Sequence, residues 1–180
     1  MIPGWNSDIT PWAEENAHRI PPGGTYLEVG VFLGASLSVM GQLRPDISLI
    51  AVDPWISEPW MSDHPDFDAT VAPHGGDLFL AFLHQMMTHA PDVLRRTRVI
   101  RGTTCNVEIL SSVDMLFIDG AHDLVSVRTD LCVYAPRVRD GGIVAGHDYN
   151  VDPGAAVNLA VDGYLGHKPN VRESVWWWEK

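Results

Sequence analysis

The chain has only two cysteines, Cys105 and Cys132, and they form no C-x-x-C pair, which excludes a disulfide framework. They read as reduced thiols of a cytoplasmic protein. No apolar run approaches the roughly 20 residues needed to span a bilayer. The opening MIPGWNSDITPW has no basic stretch followed by an apolar core, so it does not read as a secretory signal. Basic residues are scarce: 12 Lys and Arg stand against 23 Asp and Glu, a formal net charge of −11. That balance argues against nucleic acid or an anionic membrane surface as the main partner. Internal repeats and low-complexity tracts are also missing.

What is present is 180 residues of 46% hydrophobic composition, which reads as one domain, 1–180, with a sizeable core. Thr10 before Pro11 reads as the N-cap of a helix running to about His18, stopped by Pro21-Pro22-Gly23-Gly24. Apolar strands are expected at 25–31, 48–53, 97–102, 113–119 and 143–145. Helices are expected at 34–43, 77–90, 126–138 and 153–165, the second with Leu80, Leu83 and Met87 along one face, and Asp140-Gly141-Gly142 is expected to turn the chain after the third. VRESVWWWEK, 171–180, reads as a closing strand or strand pair, in which alternation sends Trp176 and Trp178 to one face and Trp177 to the other. Alternating apolar strands and helices predict an α/β fold, a parallel sheet covered on both faces. Residues 54–76, rich in Pro, Trp, Asp and His, read as a long loop over the active site, with Trp60, His64 and His74 as candidate substrate contacts.

The chemistry concentrates after strand C-termini, where open α/β sheets bind ligands. YLEVGVFLGAS, 26–36, is a strand, a glycine-hinged turn and a helix start. Glu28 stands before the turn, Gly30 and Gly34 within it, and Ser36 opens the helix. The spacing is E-x-G-x-x-x-G, not the G-x-G-x-x-G of dinucleotide binders. Asp53 ends the second strand, about where an acid accepts hydrogen bonds from a ribose, and Trp55 follows as an indole for an adenine or a pocket wall. FIDGAHD, 117–123, and GGIVAGHDY, 141–149, end two further strands with Asp119, His122, His147 and Asp148. Two carboxylates and two imidazoles at one sheet edge could hold a divalent cation, or one imidazole could act as a general base.

The ordered set LEVGVFLGAS, LIAVDPW, FIDGAHDLVSVRTDL, GGIVAGHDY and VWWWEK resembles the class I S-adenosylmethionine-dependent methyltransferases. Within that class it is similar to the small-molecule O-methyltransferases of the macrocin, novobiocin and cephalosporin-biosynthesis type. The pieces cover most of residues 25–180. The resemblance implies a doubly wound, mostly parallel, Rossmann-like sheet with helices on both faces and a C-terminal antiparallel strand. It implies that Glu28, Gly30 and Gly34 hold the methionine part of S-adenosylmethionine with Ser36 beside them, that Asp53 binds the ribose hydroxyls, and that Thr103 and Thr104 approach the adenine. It places Asp119 near the reactive centre and, in metal-dependent members, on the metal. His147 and Asp148 match a second ligand pair that is usually two acids, or Asp-Asn in catechol-type enzymes, so Asp119 and Asp148 are the better ligands of an Asp119, His147, Asp148 set.

The function expected is methyl transfer to a hydroxyl of a small-molecule acceptor, with His122 or His147 as base or with Mg²⁺ or another divalent cation at Asp119. A cofactor-binding protein without turnover is the first rival, and a nicotinamide-dependent oxidoreductase, lacking the third fingerprint glycine, is the second. The aromatic residues suit a homodimer interface or a monomer core equally.

Overall fold

The computed structural model describes residues 2–4, 7–56, 67–107, 109, 111–151 and 156–180. In chain order these form α1 (Ile9–Asn16), β1 (Thr25–Val29), α2 (Ala35–Leu43), β2 (Ser48–Asp53), α3 (Phe67–Val71), α4 (Leu78–His89), α5 (Pro91–Arg95) and β3 (Thr97–Arg101). There follow β4 (Val113–Ile118), α6 (Leu124–Tyr134), β5 (Val138–Gly146), α7 (Ala156–Leu165), β6 (Asn170–Arg172) and β7 (Val175–Glu179). One seven-stranded sheet has the order β3-β2-β1-β4-β5-β7-β6. The first five strands in that order pair in parallel, and β7 is antiparallel to both β5 and β6. The doubly wound sheet with an antiparallel C-terminal end is therefore present, and the closing segment is a strand pair.

Period-two alternation explains the two layers. Tyr26, Met115 and Phe117 face one apolar cluster with Trp12, Leu37, Met40 and Phe82 of α1, α2 and α4. Leu27, Val29, Leu116 and Ile118 face a second with Leu131 and Tyr134 of α6 and Val157 and Val161 of α7. The closing tryptophans divide as expected: Trp176 and Trp178 join the second cluster, stacked at 5.5 Å, while Trp177 packs on the first beside Trp12 at 6.4 Å.

Several boundaries differ from the sequence reading, each for a physical reason. Asp8, not Thr10, is the N-cap of α1, and its carboxylate makes no cap bond. Part of the expected 54–76 loop is helical, as α3 and a 3₁₀ turn at Ala72–His74. Residues 57–66, and with them Trp60 and His64, lie outside the described residues. The short α5, with Pro91 in its first turn, was not foreseen. On α4 the buried residues are Leu78, Ala81, Phe82 and Met86, while Leu80 and Met87 are exposed. LFLAFLHQMMTH is apolar all round, so helical spacing alone selects no face. The third expected helix starts earlier, because Asp123 accepts the N–H groups of Val125 and Ser126, both at 3.0 Å. The turn expected at Asp140-Gly142 is strand. Pairing with β4 shifts register between Val113 and Met115, and a Cβ on Gly142 would lie 2.7 Å from the Asp114 carbonyl oxygen. Among the described residues no helix is long and apolar enough to cross a membrane.

Phe82 is fully buried with its ring 4.7 Å from that of Trp55. Phe82→Ala is expected to lower stability by about 3–5 kcal/mol, measured by urea denaturation.

Candidate active site

The strand order reverses between β1 and β4, and a cavity of about 800 Å³ opens there at the strand C-termini. One end is walled by Gly30, Phe32, Asp53, Pro54 and Ile56, another by Gly102, Thr103, Thr104 and Cys105, and the third side by Asp119, Gly120, Ala121, His122 and the first turns of α6. None of the chain's 12 Lys and Arg is among the described residues of the wall.

The glycine turn is shaped by contact. Gly30 has φ +83°, and a Cβ there would lie 2.2 Å from the Asp119 carbonyl oxygen, so β1 and β4 can end this close only with glycine at 30. Gly30 N–H donates to the Val52 carbonyl at 2.9 Å and Asp119 N–H to the Val29 carbonyl at 2.8 Å, which stitches the ends of β2, β1 and β4 together. Gly34, at φ +90°, caps α2 where a side chain would strike Met86 Sδ. Asp53 closes the turn from below. Its Oδ2 accepts the N–H groups of Val31 (2.7 Å) and Phe32 (2.9 Å), and its Oδ1 accepts that of Trp55 (2.5 Å). Burial nevertheless pushes its carboxyl above the usual range.

Asp119 and His122 on the cavity wall adjoin His147 and Asp148 of a small recess beside it. His122 Nε2 lies 2.9 Å from Asp148 Oδ2. His147 Nδ1 lies 3.2 Å from the same oxygen and 3.5 Å from Asp119 Oδ1. Asp119, His122 and Asp148 each offer a ligand atom within 4.8 Å of the others, a set of two oxygens and one nitrogen. Asp148 is held in the left-handed region, φ 63°, which turns its carboxylate toward this group. Burial resists its charge, but the bonds to His122 and His147 hold it well below the usual range.

A sequence model of a family described as "Methyltransferase domain" matches residues 27–149, more than half of the chain. The chain belongs to the methyltransferase-domain family. No curated protein matches it in sequence. Among solved structures, this methyltransferase is similar to the O-methyltransferase NovP, with a TM-score of 0.69 and 16% identity over 96% of this chain and 79% of that one. It is also similar to CalS11, a TDP-rhamnose 3′-O-methyltransferase, with a TM-score of 0.59 and 16% identity over 95% and 76% of the two chains. Cofactor-bound Rv0187 from MTB matches with a TM-score of 0.62 and 14% identity over 92% and 70%. At these identities the likeness establishes the shared class I methyltransferase fold.

The methyltransferase brings most of the sequence candidates together. Gly30, Asp53, Thr103, Thr104, Asp119 and His122 line the cavity, and His147 and Asp148 border a small adjoining recess. Four cofactor candidates stand elsewhere: Glu28, Gly34, Ser36 and Trp55. Glu28, fully buried, accepts Tyr26 O–H at 2.8 Å and Ser36 O–H at 2.7 Å, so Glu28 and Ser36 brace β1 against α2 behind the turn, next to Gly34. Trp55, expected at an adenine, turns into the core instead, with its indole N–H on the Phe32 carbonyl at 2.8 Å; Ile56 takes the place on the wall. His147, expected as base or ligand, has both ring nitrogens engaged. Its Nε2 faces Asp8 Oδ2 and Ser174 Oγ, each at 2.9 Å, so no lone pair is free for an acceptor. Burial opposes its charge, yet the bonds to Asp119 and Asp148 push it up to about 11. His74 stands against His84, with ring centroids 5.0 Å apart.

Asp8, Ser174 and Asp130 were not singled out from sequence. Asp130 lines the cavity, accepts the Thr104 hydroxyl, and is raised by burial to about 6. Its one available signal was its place seven residues after Asp123, two turns along the same helix face.

Burial pushes the Glu28 carboxyl up to about 8, so the folded state holds a proton there that the unfolded chain releases near 4.5. Stability is therefore expected to fall as pH rises through that window, by up to about 1.4 kcal/mol per pH unit. Glu28→Gln should flatten this slope in urea melts taken at pH 5, 6.5 and 8.

Proposed function

We propose that this methyltransferase moves the methyl group of S-adenosylmethionine to a hydroxyl of a small molecule, assisted by a divalent cation on Asp119, His122 and Asp148. The observation that carries the reading is one cavity whose wall holds Gly30, Asp53, Asp119 and His122, with Asp148 in an adjoining recess completing an oxygen–oxygen–nitrogen donor set. The O-methyltransferase descriptions of NovP and CalS11 support the hydroxyl acceptor. When bound, S-adenosylmethionine supplies an activated methyl on a sulfonium, and the chain must align the acceptor and take its proton.

Gly30 leaves room for the methionine part, and Asp53 Oδ1, which accepts a single N–H, retains lone pairs for ribose hydroxyls. Thr103, Thr104 and Asp130 form the wall left for the base. The donor set suits Mg²⁺ or Mn²⁺ through its carboxylates and admits Fe²⁺ or Zn²⁺ through its imidazole, and a cation there would lower the pKa of the acceptor hydroxyl. His147 is outside the set because its nitrogens are committed. Without a cation, His122, half exposed on the cavity wall, is the imidazole left to act as base. The wall offers an anionic acceptor no Lys or Arg, which favours neutral or amine-bearing acceptors.

Asp53→Asn is expected to weaken S-adenosylhomocysteine at least tenfold in calorimetry, because one charged acceptor for the ribose is lost; unchanged affinity would remove Asp53 from the site. With labelled S-adenosylmethionine and a panel of hydroxylated acceptors, Asp119→Asn should lose transfer and Mn²⁺ binding together. Full transfer in EDTA would eliminate the cation and leave His122 as base.

A further inference from the structure

The N-terminal segment reaches the active site through one side chain. Asp8 occupies the N-cap of α1, yet its carboxylate accepts no N–H of the helix and turns away to the end of β5 and the β6–β7 connection. There Asp8 Oδ2 lies 2.9 Å from His147 Nε2 and accepts the Ser174 hydroxyl. The other nitrogen of the same ring lies 3.2 Å from Asp148 and 3.5 Å from Asp119. His147 is 10% exposed in its side chain and Asp8 13%, so the ring is a buried strut between three carboxylates. Its backbone is pinned as well: Trp176 Nε1–H donates to the His147 carbonyl at 3.0 Å, and His147 N–H to that of Ile118. Among the described residues no Lys or Arg pairs with Asp8, Asp119 or Asp148, so this imidazole and His122 are their only cationic partners.

We infer that Asp8 is a positioning residue of the methyltransferase: by holding Nε2 of His147, with Ser174, it orients the ring so that Nδ1 fixes the separation of Asp119 and Asp148. The argument is geometric. A ring with a carboxylate opposite each nitrogen has its rotation and its donors decided by both. Remove Asp8 and the ring can turn about its Cβ–Cγ bond toward Ser174, releasing the shared oxygen of Asp148, which also holds His122. The effect crosses two side chains to reach the cavity, while the Gly30 and Asp53 end has no contact with Asp8. Asp8 lies outside the stretch 27–149 matched by the methyltransferase family. The consequence for a cation rests on the donor set proposed above; the consequence for the His122 ring does not.

The test compares wild type, Asp8→Asn, Asp8→Ala and Ser174→Ala by two readouts. The first is the ¹⁵N and ¹H resonances of the His122 and His147 rings without added metal. Asp8→Ala should move the signals of His122 although the two residues do not touch, and Asp8→Asn, which keeps one acceptor oxygen, should move them less. The second is calorimetry with Mn²⁺ alone and with S-adenosylhomocysteine alone. Asp8→Ala should weaken Mn²⁺ about tenfold, the low end of the scale for groups that hold a metal ligand directly, because Asp8 acts one contact further out, and leave S-adenosylhomocysteine within threefold. Asp8→Asn should recover part of the Mn²⁺ loss, which a role in folding alone would not produce. His122 resonances unmoved in Asp8→Ala, or in Asp8→Asn if the alanine variant does not fold, overturn the inference. A wild type that takes up no Mn²⁺ sinks the cation in the proposed function, and the His122 resonances then decide the role of Asp8 by themselves.

Discussion

The close approach of β1 to β4 at Gly30 is the constraint on which the site depends. A single methyl group there would meet the Asp119 carbonyl oxygen, so two strands end side by side without a side chain between them. Their N–H and carbonyl groups go on pairing past the strands, through Gly30 to Val52 and Asp119 to Val29. Strand order reverses at this point, so the following turns diverge to opposite faces of the sheet and leave the cavity between them. Asp53 then fixes the first turn by accepting three backbone N–H groups from both of its sides. The turn pocket is thus pre-shaped by backbone groups, which carry no rotamer entropy, and only its far end is built from long side chains.

The sheet was legible because its strands are short, apolar and separated by glycine, proline and aspartate. Buried parallel strands carry that signal without alternation. Boundaries were lost where one local rule met a tertiary one. Asp140-Gly141-Gly142 has turn composition, but Gly141 N–H and the Gly142 carbonyl pair with Lys180 at 2.7 and 2.9 Å, and the glycines let β5 bulge past Asp114. Asp8 escaped notice for the opposite reason: it has a cap residue's chemistry and position, yet its carboxylate is used 139 residues away in sequence, at His147. No periodicity or spacing reports such a contact.

Strand-end position picked out Gly30, Asp53 and Asp119, which line the cavity, because a residue ending a parallel strand at the reversal point has little choice of where to stand. It failed for side chains one step from those ends. Alternation sends Glu28 into the layer between β1 and α2, where Tyr26 and Ser36 satisfy it. Trp55 follows Pro54 with φ 47°, and this left-handed step drops the indole onto Phe79 and Phe82 at 4.9 and 4.7 Å. His147 and His122 look equivalent in sequence, each beside an aspartate. They differ because Asp8, Ser174 and Trp176 enclose His147, while the His122 ring, on Asp148, stays half exposed on the cavity wall.

Among the described residues no Lys or Arg lines the cavity, so the carboxylates on and around its wall are met by other groups. Asp53 takes backbone N–H groups, Asp123 the N-terminus of α6, and Asp130 the Thr104 hydroxyl together with a raised affinity for its proton. Glu28, deeper still, is held with a proton up to about 8. Asp8 shares the His147 ring. What remains is Asp119 and Asp148 with two imidazoles, one of them already spanning to Asp8. Asp119 stands where the two halves of the site meet: its carbonyl oxygen lies against Gly30 and its carboxylate against the His147 ring.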